Sequence, residues 1–360
     1  MKNQTNAAQA ENPLGTAPVG SLITKFAIPA IISMLVSALY NIVDQIFIGQ
    51  GVGMLGNAAT NIAFPVTIIS TAAALLLGIG SASNYNLEMG AGNEKKASSI
   101  AGTGLSALII SGTILSVIVL LFLKPLLHFF GGTPDVMPYA IDYIGITAIG
   151  LPFYVLSTGG NHLIRADRSP TYSMACILAG AAINTILDPL FIFGFGWGIK
   201  GAAWATVIGQ IVSGLLIIFY FSRLRKMYLD HSMLIPKARN LSAIFSLGRA
   251  SCINQVAIAA VQIVMNNTLR HYGALSAYGS DIPIACAGII SKVNQVFMAI
   301  CIGISQGSQP IWGFNYGAEK YSRVRQTYRY SVTLCTVIAT IFFICFQFFP
   351  HQIVGIFGNG

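Results

Sequence analysis

The chain has few charged residues. Only 9% of its 360 residues are Asp, Glu, Lys or Arg, whereas 54% are hydrophobic, and the mean hydropathy is +0.70. A soluble domain has about 25% charged residues, so this composition excludes a water-facing globular surface. Charge-free windows such as 97–123, 143–164 and 201–222 exceed the roughly 20 apolar residues that cross a bilayer as helix. The sequence therefore predicts an all-α, polytopic membrane protein.

Other signals are absent too. The first 20 residues have no apolar stretch of the kind found in cleaved signal peptides. The six cysteines form no CxxC and no metal-binding spacing, which favours packing roles. There is no HExxH motif, and none of the five histidines is expected deep within a span. We therefore predict no enzyme, no cofactor other than a coupling ion, and no nucleic-acid partner.

The apolar segments and the basic residues together predict a topology. Nine spans are expected, at 22–48, 56–84, 97–123, 137–160, 170–194, 199–222, 243–268, 283–313 and 328–350. With a cytoplasmic N-terminus, 16 of the 20 Lys and Arg residues fall at the inner side, which is the distribution of the positive-inside rule. The net charge of +9 is thus attributed to topology.

An internal repeat divides the chain. "GSASNYNLEMGAGNEKKA" begins at Gly80 and "GSQPIWGFNYGAEKYSRV" begins at Gly307, and both Gly-Ser and the later Gly-Ala align at an offset of 227. Such doubling is typical of transporters built from two related halves. We expect two six-helix lobes related by a pseudo-two-fold axis along the membrane normal. The expected parts are a cytoplasmic tail (1–20), a first lobe (21–225), a cytoplasmic linker (226–242) and a partial second lobe (243–360), with three further helices expected to be missing.

Two aspartates lie well inside predicted spans. Asp44 and Asp188 precede Gly49 and Gly194, at the outer ends of the first and fifth spans, by five and six residues. At 1.5 Å per residue both carboxylates lie about 8–9 Å below those ends. Because intramembrane acids are costly and usually functional, the sequence predicts a paired site at one depth.

Neutral oxygen-bearing residues accompany the pair. Asn41 and Asn184 stand on the same helix faces as the two acids, and Thr206 enters the sixth span at a similar depth. Hard oxygen ligands suit a proton or Na⁺, so we predict a cation site at Asp44, Asn184, Asp188, Thr206 and Asn41, with Na⁺ at the two acids as the metal alternative. The competing interpretation is that each acid bonds to a neighbouring amide and only fixes helix packing.

The eighth span carries a second group of candidates. Lys292, Gln295, Phe297 and Met298 combine a cation, an amide and apolar side chains, and we consider them as lining a substrate cavity. Simple packing within the membrane is the alternative for all four.

Several stretches resemble one family. "PAIISMLVSALYNIVDQIFIG", "NTILDPLFIFG", "GWGIKGAAWATVIGQ" and the repeated Gly-Ala loop are similar to the multidrug and toxic compound extrusion (MATE) transporters of bacteria. The resemblance implies twelve helices in two lobes and export of small organic cations by H⁺ or Na⁺ antiport across the bacterial cytoplasmic (inner) membrane. It also places a cation site on Asp44, Asn184, Asp188 and Thr206, while the seventh span lacks the glutamate of another branch. A monomer in the lipid bilayer is expected.

The alternative function is a lipid-linked oligosaccharide flippase of the same superfamily. A flippase would need a basic central cavity to hold a pyrophosphate, and Lys292 is the only candidate that the predicted spans supply. The paired acids therefore favour the cation-coupled exporter.

Overall fold

The computed structural model describes residues 12–275 and 281–350. Within these residues the chain forms helices, turns and loops and contains no strand. The long helices are α1 (Val19–Gly51), α2 (Met54–Gly90), α3 (Glu94–Leu121), α4 (Met137–Ala166), α5 (Pro170–Pro189), α6 (Ile199–Phe219), α7 (Ala238–Ala274), α8 (Asp281–Gly317) and α9 (Tyr321–Phe348). Each predicted span overlaps one of these helices.

Eight of the described helices are long and apolar enough to cross a membrane. These are α1 to α7 and α9, with α5 and α6 extended by short π-helical segments at Leu190–Gly194 and Tyr220–Leu224. The remaining helix, α8, is of comparable length but carries several amides in its described part, including Gln306 and Gln309. The polytopic membrane fold is confirmed.

The helices extend beyond the predicted spans at one end of the bundle. This end, called the proximal end below, holds the start of α1 and the connections α2–α3, α4–α5, α6–α7 and α8–α9; the opposite end is the distal end. α4 runs to Ala166, six residues past the predicted limit, and it includes His162, which is 4% exposed. His162, expected to follow the fourth span, therefore lies in the last turns of α4, because a charged residue after a span does not end the helix.

Small residues allow the helices of the first half to pack closely. Gly78 of α2 contacts the backbone of Gly159 on α4, and Gly180 of α5 contacts the Gly209 carbonyl of α6. Close backbone approach at glycine is the usual basis of helix association in membranes, where water does not drive packing. These contacts hold α2 against α4 and α5 against α6, and α4, α5 and α6 carry residues of the candidate site.

The two halves meet at the proximal end through a symmetric contact. Gly90 of α2 lies against the Phe314 carbonyl of α8, and Gly317 of α8 lies against the Leu87 carbonyl of α2. Residues 87 and 314, like 90 and 317, are separated by the 227 positions of the sequence repeat. The pseudo-two-fold axis predicted from the sequence therefore passes between α2 and α8. We call this contact region the seam.

Two further contacts extend the seam. Gly248 of α7 lies against the Leu76 carbonyl, and Gly303 of α8 lies against the backbone of Ile31 on α1. Leu76 and Gly303 again differ by 227 positions. Their partners, Ile31 of α1 and Gly248 of α7, differ by 217 positions, so α7 corresponds to α1 at an offset of 217. In each half, the second helix (α2 or α8) therefore packs against the first helix of the other half (α7 or α1).

Candidate cation site

The carboxyl groups of Asp44 and Asp188 lie within hydrogen-bonding range of each other. Asp44 is on α1 and Asp188 is on α5, and these two helices pack together. Asp188 is fully buried, and Asp44 is partly buried, with an Oδ1 atom that has no hydrogen-bond partner. Two ionised carboxylates about 4 Å apart repel by about 4 kcal/mol at an effective dielectric constant of 20. A shared proton or a bound cation removes that repulsion.

Asn184 connects Asp188 to α6. It is 3% exposed, and its amide nitrogen lies 3.4 Å from Asp188 Oδ1 and 3.3 Å from Thr206 Oγ1. With the amide turned, its oxygen accepts from the Thr206 backbone N–H at 3.2 Å while its nitrogen stays on Asp188. Both orientations hold Asn184, Asp188 and Thr206 together.

Two tyrosines that the sequence reasoning missed also surround the acids. Tyr143 of α4 interacts electrostatically with both carboxyl groups and hydrogen-bonds to the Thr206 side chain. Tyr40, one turn before Asp44 on α1, also interacts with both acids. The i−4 spacing of Tyr40 from Asp44 was a usable signal, whereas Tyr143 comes from another helix and has no signal of this kind.

Asn41 is not brought to the acids. Its amide nitrogen donates to the Ser37 carbonyl of its own helix at 2.6 Å, and its side chain is exposed. The remaining candidates, Asp44, Asn184, Asp188 and Thr206, form one continuous cluster.

Aromatic side chains cover the distal side of the cluster. Phe47 of α1 and Phe193 make an edge-to-face contact with ring centroids 6.3 Å apart. Phe193 belongs to the π-helical segment that directly follows Pro189, the residue expected to disturb α5 because it lacks a backbone N–H. The site thus lies one turn below an apolar cover.

The cluster fits a single small cation or a proton. It offers two carboxyl groups, an amide and a hydroxyl, which are ligands for a hard cation. Within the described ranges no group of three or more His, Cys, Asp or Glu residues could hold a metal ion. A Na⁺ ion here would therefore depend on the neutral oxygens of Asn184 and Thr206 as well as on the acids.

The second half is not equivalent at this position. The offset of 217 between α1 and α7 places Val261 where the first half has Asp44, and Val261 is 65% exposed. The paired acids are thus a property of the first half.

The candidates on α8 are separate from the cluster. Phe297 packs against Phe342 of α9 with ring centroids 5.2 Å apart, while Gln295 and Met298 are exposed. The side chain of Lys292 lies outside the described part of the chain. A packing role thus accounts for Phe297, and Gln295 and Met298 have accessible side chains.

A profile of the MatE family matches residues 29–190 and 250–360. The chain belongs to the MatE family. As a MatE protein it is a membrane transporter and not an enzyme. The matched ranges contain both aspartates and the whole of the seam helices α2 and α8.

Curated relatives and solved structures agree with this assignment. The MatE protein is 26% identical over 342 residues to multidrug export protein MepA of Staphylococcus aureus (strain N315), covering 95% of this chain and 74% of the relative. It is 27% identical to MepA of Staphylococcus haemolyticus (strain JCSC1435), covering 93% and 72%. A MATE crystal structure in the straight conformation matches with a TM-score of 0.88 at 24% identity, covering 96% of this chain and 76% of that one. An outward-facing multidrug resistance MATE family transporter matches with a TM-score of 0.87 at 23% identity, covering 98% and 76%.

Proposed function

We propose that this MatE protein is an antiporter that exports small organic cations, including drugs, across the bacterial cytoplasmic membrane. Entry of H⁺ or Na⁺ through the site at Asp44 and Asp188 drives the export. The proposal is supported by the relatives described as multidrug export proteins. It is also supported by the expected topology, with a cytoplasmic N-terminus and most basic residues on the same side.

One observation carries the coupling mechanism. The two carboxyl groups face each other in an apolar helix bundle, and one of them has an unpartnered oxygen. An arrangement of this kind is stable when a cation or a proton lies between the acids and unfavourable when both are ionised and empty. Occupancy of the site therefore determines how closely α1 and α5 pack.

The position of α1 transmits this change to the second half. Along its distal part α1 carries Asp44, and along its proximal part it packs against α8, where Ile31 contacts Gly303. A shift of α1 on cation release therefore alters the surface between the halves. The bound cation stabilises one arrangement of the halves and the drug stabilises the other, which is the requirement for exchange of the two ligands.

The test is dye transport by the purified protein in liposomes. A fluorescent organic cation is loaded and an inward H⁺ or Na⁺ gradient is imposed in separate experiments. Asp44→Asn and Asp188→Asn should each abolish gradient-driven export. Asp142→Asn is the matched control, because Asp142 is 40% exposed at the distal end, where it pairs with Lys200 at 3.4 Å; it should keep export.

The same experiment identifies the ion and can refute the proposal. Export that follows only one of the two gradients assigns the coupling ion. Undiminished export by both Asn variants would show that the acid pair does not couple transport.

The flippase alternative is separated by the substrate. The same liposomes, prepared with a lipid-linked oligosaccharide, should show no accelerated transfer of the lipid between leaflets. Transfer of that lipid without dye export would replace the antiporter proposal.

A further inference from the structure

A chain of buried polar side chains crosses the seam near the proximal end. Arg165 on α4 is 3% exposed; its Nη1 donates to Ser173 Oγ at 2.9 Å, and its Nη2 lies 3.1 Å from His162 Nδ1. Gln309 of α8 lies beside the His162 ring, within hydrogen-bonding range, and its Nε2 donates to Ser83 Oγ at 2.7 Å. Of these residues only Gln309 belongs to the second half.

The donors and acceptors fix the direction of every bond. A guanidinium can only donate, so His162 Nδ1 accepts and the imidazole proton is on Nε2. Since the Gln309 nitrogen is engaged with Ser83, the Gln309 oxygen is the acceptor for that proton. The chain runs Arg165 to His162 to Gln309 to Ser83 with each member satisfied in one orientation only.

Other contacts between the halves are of two kinds. Some are hydrogen bonds to backbone carbonyls, such as Asn84 Nδ2 to the Ala243 carbonyl at 2.9 Å and Arg323 Nη2 to the Ala17 carbonyl at 2.6 Å. Others are van der Waals contacts of glycines with backbone groups, such as Gly90 with Phe314 and Gly317 with Leu87, and such contacts have little directional preference. The polar chain is directional, and it starts from a buried guanidinium whose described hydrogen bonds go to neutral groups. Loss of the Gln309 contact would leave the Nε2–H of His162 without an acceptor in a buried site.

We propose that Gln309 is the positioning residue through which the second half binds the Arg165–His162 pair and holds the proximal seam closed. When the halves part at this end, the bond from His162 to Gln309 breaks, and Arg165 and His162 become accessible to water. The inference rests on the proposed exchange between two arrangements of the halves, and it assigns the residue that sets their ratio.

The test measures opening of the seam directly, without transport. Asn86 is 1% exposed on α2, against Gly313 of α8, and its amide nitrogen has no partner, so Asn86→Cys introduces a reporter thiol without removing a bond. The labelling rate of this thiol by a charged maleimide is measured in nanodiscs, and the parent chain gives the background from the native cysteines.

Two substitutions at position 309 and a control on α9 separate the effect of hydrogen bonding from that of packing. Gln309→Met keeps the length of the side chain and removes its hydrogen bonds, and it should raise the labelling rate about 5- to 10-fold. Gln309→Glu retains an acceptor for His162 and should label at close to the rate of the protein that carries Asn86→Cys alone. Gln326→Met, at an exposed amide of α9, is the control and should change nothing.

A second variant protects the test against misfolding. Ser83→Ala removes only the last acceptor of the chain and should raise the rate by a smaller factor in the same direction. Equal labelling of the Gln309→Met and Gln326→Met proteins would overturn the inference. If dye export fails in every protein while Gln309→Met still labels faster, the proposed function fails, but the role of Gln309 in holding the seam closed stands.

Discussion

The glycine at position 90 offers a stringent test of the seam. A Cβ atom on Gly90 would lie within 3.0 Å of both the Phe314 carbonyl oxygen and the Ala318 nitrogen, a distance that real Cβ atoms do not reach. Both neighbours are backbone atoms, so no side chain can rotate away. In Gly90→Ala the two helices must separate by about 1.5 Å to restore a normal contact of about 3.5 Å.

The expected cost follows from overpacking. Inserting a methyl group into a close-packed contact costs about 1–3 kcal/mol, which should lower the melting temperature by about 2–6 °C. Gly20→Ala is the matched control: Gly20 is exposed on α1 with nothing within 4 Å of its added Cβ, so alanine there should be neutral or slightly stabilising.

Symmetry sharpens the test. Gly317→Ala, at the equivalent position of the other half, should cost as much as Gly90→Ala, and the double variant should cost less than the sum because the first methyl group has already separated the helices. Thermal unfolding in detergent and labelling of the Asn86→Cys reporter provide the measurements. Equal melting temperatures for Gly90→Ala and Gly20→Ala would refute the close contact on which the two-fold axis depends.

Three smaller perturbations test other parts of the structure. Burial raises the pKa of Asp167 above its ordinary value of 3.8; the folded protein therefore holds this proton to higher pH than the unfolded chain, and stability falls as pH rises through that window. Asp167→Asn should reduce this dependence of stability on pH. The same difference in melting temperature between pH 4 and neutral pH in the variant as in the parent would contradict the prediction. Tyr143→Phe removes the hydroxyl bonded to Thr206 and should raise the cation concentration for half-maximal export about 5-fold, a shift that a purely structural tyrosine would not produce. Lys200→Ala breaks the exposed pair with Asp142 and should change stability by less than about 0.5 kcal/mol in urea titration; a larger loss would mean that the pair is not solvent-screened.

Much of the fold could be predicted because hydrophobicity and charge act locally. Apolar length predicted the helices, and the offset of 227 predicted two halves related by an axis. The helix ends were less accurate: α4 continues to Ala166 because backbone hydrogen bonding does not stop where the apolar run does. The predicted span therefore ended before His162, which lies in the last turns of α4.

Part of the candidate site could be predicted from the sequence for a related reason. Asp44 and Asp188 stand out against apolar neighbours, and their distances from the helix ends predicted a common depth. Tyr143 does not stand out among the aromatic residues of a membrane helix. Gln309 meets His162 only after four helices have packed, which no spacing along the chain encodes.

The axis between α2 and α8 has a consequence for how the two halves can diverge. Across this axis Gly90 lies against the Phe314 carbonyl and Gly317 lies against the Leu87 carbonyl. A larger side chain at either glycine would push α2 and α8 apart and so disturb both contacts, and neither glycine can be replaced independently of the other. Asp44 and its counterpart Val261 are under no such mutual restraint. A duplicated chain of this design must therefore keep both glycines, while one copy carries an acid at a position where the other carries a valine.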